Sequence, residues 1–188
     1  MIKKLEDFNK YVAIAGFRNV KINDVTSFFG QVRKKAKDTH IQLFDAKLIA
    51  GWEHLYFAVL NALRAFEGRL NISNSLAVEA LLYASAQRQI SKAVDLLGIK
   101  PESLHVAVLV IAETKQGANA ALEIVSQLMP GERDDSVLEL IDEKVEDIRR
   151  LFGISDLELE AKLEKKGLEK EALIDLVIEH VALLVTRR

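Results

Sequence analysis

The residues of this chain best suited to chemistry are Glu53 and His54, adjacent and just after Gly51. A carboxylate and an imidazole are common partners for moving protons near neutral pH. Their spacing argues against that use. Neighbours on a helix point about 100° apart, so two adjacent side chains do not meet. The other histidines are His40, His105 and His180, and no two of the four stand three or four residues apart. That removes the helical pair on which many metal sites are built. His105 lies in the most apolar run of the chain and reads as a hydrogen-bonded core histidine. Asp45 and Glu113 interrupt or end candidate strands, and nothing brings two carboxylates together. The chain has no cysteine, which excludes thiolate catalysis, disulfides and Cys-bearing zinc sites. No phosphate loop, GxGxxG, HExxH or GxSxG occurs. The expectation is therefore no catalytic residue, no metal and no cofactor.

Arg88 is a better lead. It sits in Gln87-Arg88-Gln89 behind the small residues Ala84, Ser85 and Ala86. Small neighbours let a ligand or a second backbone approach, and a guanidinium there can hold a phosphate or carboxylate with two bonds. The alternative is an arginine that caps carbonyls at a helix break. Any enzymatic or small-ligand reading rests on the region of Glu53, His54 and Arg88.

These residues need elements to hold them. Around Arg88, Leu76, Ala80, Tyr83 and Ala84 form one apolar stripe, and Ile90, Ala93, Val94 and Leu97 form another. The spacing predicts two helices, or one bent one, opened by Asn74 or Ser75 as N-cap. Gly98-Ile99 before Pro101 is a stop signal. Upstream, 11–20 reads as a buried strand, then a helix capped by Asn23 or Asp24 runs to about 38. Its end carries Arg33, Lys34, Lys35 and Lys37, where cations suit the helix dipole, with a binding patch as the alternative. Residues 41–49 read as a strand and 52–66 as a helix. Residues 104–112 read as a strand buried on both faces, and 117–128 as a helix. The tail is helical over 137–152 and from 168 to about 186. Gly153-Ile154 repeats the stop signal, and Ser155 with Glu158 has the form of a capping box.

The stretch SLAVEALLYASAQRQISKAVDLLGIK (75–100) resembles the central signature of the small accessory subunit of the KEOPS complex, the family called PRPK-binding protein in animals. The runs IQLFDAKLIAGWEHLYFAVLNALRAF (41–66) and LVIEHVALL (176–184) are similar to that family too. Ala86 departs from the pattern, which takes a small residue there, often Gly. The resemblance implies a non-catalytic subunit. Its partners would be the complex's kinase/ATPase subunit and tRNA, which the chain alone would hold weakly. The assembly's task is to place a threonylcarbamoyl group on the adenosine beside the anticodon.

Length and composition agree with a globular α/β protein: a mixed sheet of three to four strands covered by helices, with a helical C-terminal segment. A chain of 188 residues reads as one domain, 1–188, with 132–188 packed on the body as a helical tail. The formal charge is −2 and predicts no strong nucleic-acid binder. Residues 1–131 hold 16 Lys+Arg and 12 Asp+Glu, and 132–188 hold 10 and 16, giving +4 and −6. A basic body and an acidic tail suggest surfaces for two different partners, or simply an acidic helical tail. No run is apolar enough over roughly 18 to 20 residues to span a membrane, and the N-terminus lacks a signal-peptide core, so a cytoplasmic location is expected.

Two surfaces follow. Arg64 and Arg69 bracket the end of one helix, and Arg88 and Lys92 lie at i, i+4 on the next; packed side by side, these helices would offer four cations to tRNA. The last helix has more apolar residues than one stripe needs. Ile174, Ile178, Val181 and Val185 form a ridge expected to dock the kinase-like partner, with burial in this protein's own core, or self-association into a homo-oligomer, as the alternatives.

Overall fold

The β-branched runs of the sequence form the middle of one antiparallel sheet. Its strands are β1 (Ile2–Leu5), β2 (Lys10–Arg18), β3 (His40–Asp45), β4 (Val106–Ala112) and β5 (Glu132–Arg133). This is a computed structural model, and it describes residues 1–163 and 165–186. The strand order is β1-β2-β4-β3, with β5 pairing the end of β2 on the β1 side. All pairings are antiparallel, with Ile14 opposite Leu109 and Leu43 opposite Val108. The α/β class holds, and two short edge strands join the three expected ones. β4 is buried along its whole length, as its continuous apolar run requires.

Alternation along the strands sends two sets of side chains to two faces. Val12, Ile14, Phe44, Leu109 and Ile111 face one core. Ala15, Phe17, Leu43, Val108 and Val110 face the other. The first core is covered by α2 (Trp52–Glu67), α3 (Leu76–Ala84) and the end of α8 (Glu169–Ala182). The second is covered by α1 (Val25–Lys35) and α5 (Lys115–Leu128). A third cluster joins α8 to α6 (Asp142–Phe152) through Ile148, Phe152, Leu173 and Val177. α7 (Asp156–Lys162) opens on Ser155 and Glu158, which make the expected capping box. Among the described residues, no helix is long and apolar enough to cross a membrane.

Several local readings change. His105 precedes β4 and is exposed, so it is not the core histidine. α6 starts at Asp142, because Asp134 caps a separate 3-10 turn over Asp135–Leu138. The two central helices are separate: after α3 the chain turns at Ala86, whose φ of 49° is left-handed, and restarts as α4 (Ile90–Leu97). Glycine takes that conformation without steric cost, so a Gly in place of Ala86 would fit this turn without strain. On α4 only Ala93 and Leu97 are buried, while Ile90 and Val94 stay 45% and 44% exposed. An eight-residue helix on the rim has room to bury only part of its stripe. Gly98 has an ordinary φ of −66°; what it needs is space, because a Cβ would lie 3.1 Å from Val94 Cγ1 and collide with Val94's carbonyl oxygen.

Candidate functional site

His54 is fully buried at the start of α2. Its Nδ1 accepts the Ala50 N–H at 3.2 Å, which places the ring proton on Nε2, and Nε2 donates to the Ala84 carbonyl at 2.7 Å. Phe152 packs edge-on against the ring, 5.6 Å between centroids. Burial pushes the imidazole's pKa down to about 4, so the ring is neutral near pH 7 and both nitrogens are occupied. The residue ties the α2 start to the α3 end and has no proton to exchange with a substrate. Glu53 is half-buried beside Gly51 and points away from His54's core position. Arg88 is exposed on the turn before α4. The three residues do not converge. Among the described residues, no group of three His, Asp or Glu is placed to hold a metal.

The four cations expected to meet tRNA, Arg64, Arg69, Arg88 and Lys92, are all exposed. Among the described residues none has an ion-pair partner. α2 and α3 pack side by side, but the cations do not form one cluster. The His54–Ala84 bond fixes the start of α2 beside the end of α3. Arg64 lies ten residues farther along α2, about 15 Å at 1.5 Å per residue. Arg64 and Arg69 are therefore at one end of this layer, and Arg88 and Lys92 are at the other.

α8 packs on α2, with α3, α6 and α7 as further neighbours. Ala172, Leu173, Leu176, Val177 and Val181 are buried. Burial of Val181 corrects the expected ridge. At 100° per residue it lies 20° from Ile174 on the side of Val177, at the margin of the buried arc, and it joins the α2–α3 core. Ile174 and Ile178 are half-buried, and Val185, in the 3-10 turn that follows α8, is 47% exposed. The accessible ridge is thus Ile174, Ile178 and Val185, with exposed Ala182 beside Ile178.

At Ile174 this ridge runs into a groove of about 550 Å³. Ile14, Trp52, Leu138 and Leu140 supply its apolar lining, and Glu53, Asp135, Glu139 and Glu171 supply carboxylates. The α-ammonium of Met1 borders it, donating to the Ile14 carbonyl at 2.8 Å. Lys170 is engaged by Asp142 at 2.7 Å, so the rim is net acidic. An apolar floor with an acidic rim suits a basic, amphipathic protein segment. Sequence reasoning missed the groove because it joins segments near residues 1, 14, 52, 138 and 174. The available signal was Trp52, a large aromatic next to a glycine turn.

Comparison with known proteins places the chain among relatives. Residues 17–184 match the family described as kinase binding protein CGI-121. A protein described as regulatory protein Cgi121, from Methanocaldococcus jannaschii, is 31% identical over 163 residues. The match covers 87% of this chain and 97% of that protein.

Proposed function

The chain belongs to the CGI-121 family of kinase-binding proteins, and from that premise we propose that it is a non-catalytic subunit of a KEOPS-like assembly. It docks the kinase/ATPase subunit and helps hold tRNA for threonylcarbamoyladenosine formation. One observation carries the docking half. α8 leaves Ile174, Ile178 and Val185 accessible beside an acid-rimmed groove, and exposed apolar surface of this kind marks contact sites. The occupied ring nitrogens of His54 support the non-catalytic half. ATP hydrolysis by the purified chain alone, abolished by Arg88→Ala, would overturn it.

Co-purification tests the docking. Ile178→Glu and, separately, Val185→Glu are expected to keep a melting temperature near that of the parent and to lose the kinase-like partner. An unfolded Ile178→Glu together with full partner retention by Val185→Glu would end the reading. A dimer that Val185→Glu dissolves, with no kinase captured, would make the ridge a self-association surface instead.

The tRNA half draws on the exposed cations Arg64, Arg69, Arg88 and Lys92. Their two-ended placement suits a ligand longer than a single phosphate. Removing their charge is expected to weaken retention of tRNA and to flatten its salt dependence by roughly one unit per lost contact. An unchanged slope would remove these residues from the contact.

A further inference from the structure

On the opposite face of the sheet from α8, a second groove of about 400 Å³ opens between the end of α1 and the start of α5. Lys34, Lys35 and Lys37 line one side, and Thr114, Gly117 and Ala121 line the other. Arg33, set over the Phe29 ring at 5.7 Å, adjoins Lys34, and Lys115 adjoins Thr114. Among the described residues none of these five cations has an ion-pair partner. The local carboxylates are Asp38 and Glu113, and Glu113 is bound to Lys10. Six cations, including Lys10, against two carboxylates give this corner +4, in a chain whose net charge is −2.

The helix dipole explains part of this. Arg33, Lys34 and Lys35 end α1, where cations are favourable. It does not explain Lys115, which stands in the first turn of α5, a turn with no acidic residue. A cation there opposes the positive end of the dipole, one residue beyond Thr114 on the groove wall. Among the described residues Lys115 has no ion-pair partner to offset that cost. A local rule broken without internal compensation is expected at functional positions, and a bound polyanion would relieve the conflict.

We propose that this groove is a second contact for an RNA phosphate backbone, separate from Arg64, Arg69, Arg88 and Lys92 on the other face. The inference rests on the tRNA-binding reading and adds a location to it. RNA is favoured over a membrane because the lysines line a concave wall. A strand can enter it, whereas a flat bilayer meets only the rims.

Fluorescence anisotropy with a labelled tRNA transcript, over a series of salt concentrations, tests this. The proteins are the parent, a Lys34→Ala/Lys35→Ala/Lys37→Ala triple variant, the matching triple to Arg, Lys37→Ala alone, and the variant without charge at 64, 69, 88 and 92. The alanine triple is expected to bind more weakly, with a log–log salt slope shallower by roughly two units at about 0.7 per single-strand phosphate contact. The arginine triple should keep the parent's slope. Lys37→Ala, which lies outside the helix, should show a smaller loss in the same direction with an unchanged melt. Equal affinity and slope for the parent and the alanine triple would overturn the groove while leaving tRNA binding in place. No binding by the parent would overturn both. An alanine triple that binds RNA normally but no longer binds phosphatidylserine vesicles would reassign the groove to a lipid surface and overturn the proposal.

Discussion

Acid should destabilise this protein through one buried ring. His54 is fully buried, accepts the Ala50 N–H on Nδ1 and donates Nε2–H to the Ala84 carbonyl. A proton added at Nδ1 would break the first bond and put a charge among apolar groups. Burial accordingly holds the ring's pKa near 4, against 6.5 for an unperturbed histidine. Above pH 6.5 the ring is neutral in both folded and unfolded chains, and the shift has no effect. As pH falls from 6.5 toward 4, only the unfolded chain takes up the proton, so stability is lost. At 1.36 kcal/mol per pKa unit the full loss is about 3 kcal/mol. Urea unfolding at a series of pH values measures it. His40 is also shifted down, by burial and then by Lys10, so the His54 share is read as the difference between the parent and His54→Gln. The parent should lose about 3 kcal/mol more than the variant between pH 6.5 and 4. Because His54→Gln also disturbs the joint between α2 and α3, NMR of the parent supplies a second reading. The His54 ring should carry its proton on Nε2 at neutral pH and titrate near 4. Titration of that ring near 6.5, or equal pH slopes for parent and variant, would refute the reasoning.

Lys144 should act at the other end of the pH scale. Its ammonium is buried and donates to the Val137 carbonyl at 2.6 Å, and burial lowers its pKa to about 8. Between about pH 8 and 10.5 the unfolded chain holds the extra proton, so stability rises with pH, by up to about 3 kcal/mol; Lys144→Met should flatten that rise in urea unfolding. Gly16→Ala should cost about 1–3 kcal/mol in a denaturant midpoint. Its Cβ would overlap the Asp134 carbonyl and lie 2.6 Å from Val137 Cγ2, where the 3-10 turn crosses β2. Glu79 is a buried carboxylate on α3 that accepts the N–H groups of Ile72 and Ser73 at 3.0 and 2.7 Å. Glu79→Ala strands those donors and should cost about 2 kcal/mol or more, seen as a lower melting temperature.

Local chemistry alone carried much of the fold. The apolar runs around residues 14 and 108 became the two inner strands, β2 and β4, and the alternating run around 43 became β3 at the far edge. Ser155 and Glu158 made their capping box because that bond is satisfied within four residues. The central signature and the closing helix also carried the family. Tertiary structure decided what periodicity cannot. The stretch around Ile2 has no strong strand signal, yet Ile2 pairs with Ala13 because the edge of β2 was open. The ridge at Ile174 and the stripe at Ile90 look equally buriable in sequence. Val181 went inside because α2 lies over that side of α8, while Ile90 and Val94 stayed out because none of the described residues covers that side of α4. His105, in the apolar run, ended up exposed, and His54 was buried, since the carbonyl that satisfies it is thirty residues away at Ala84. The acid-rimmed groove and the lysine groove likewise join residues far apart in the chain, such as Trp52 with Ile174 and Lys37 with Thr114. Amphipathic spacing says that a face will be covered; which element covers it, and which charges then meet, depends on contacts formed only when the layers pack.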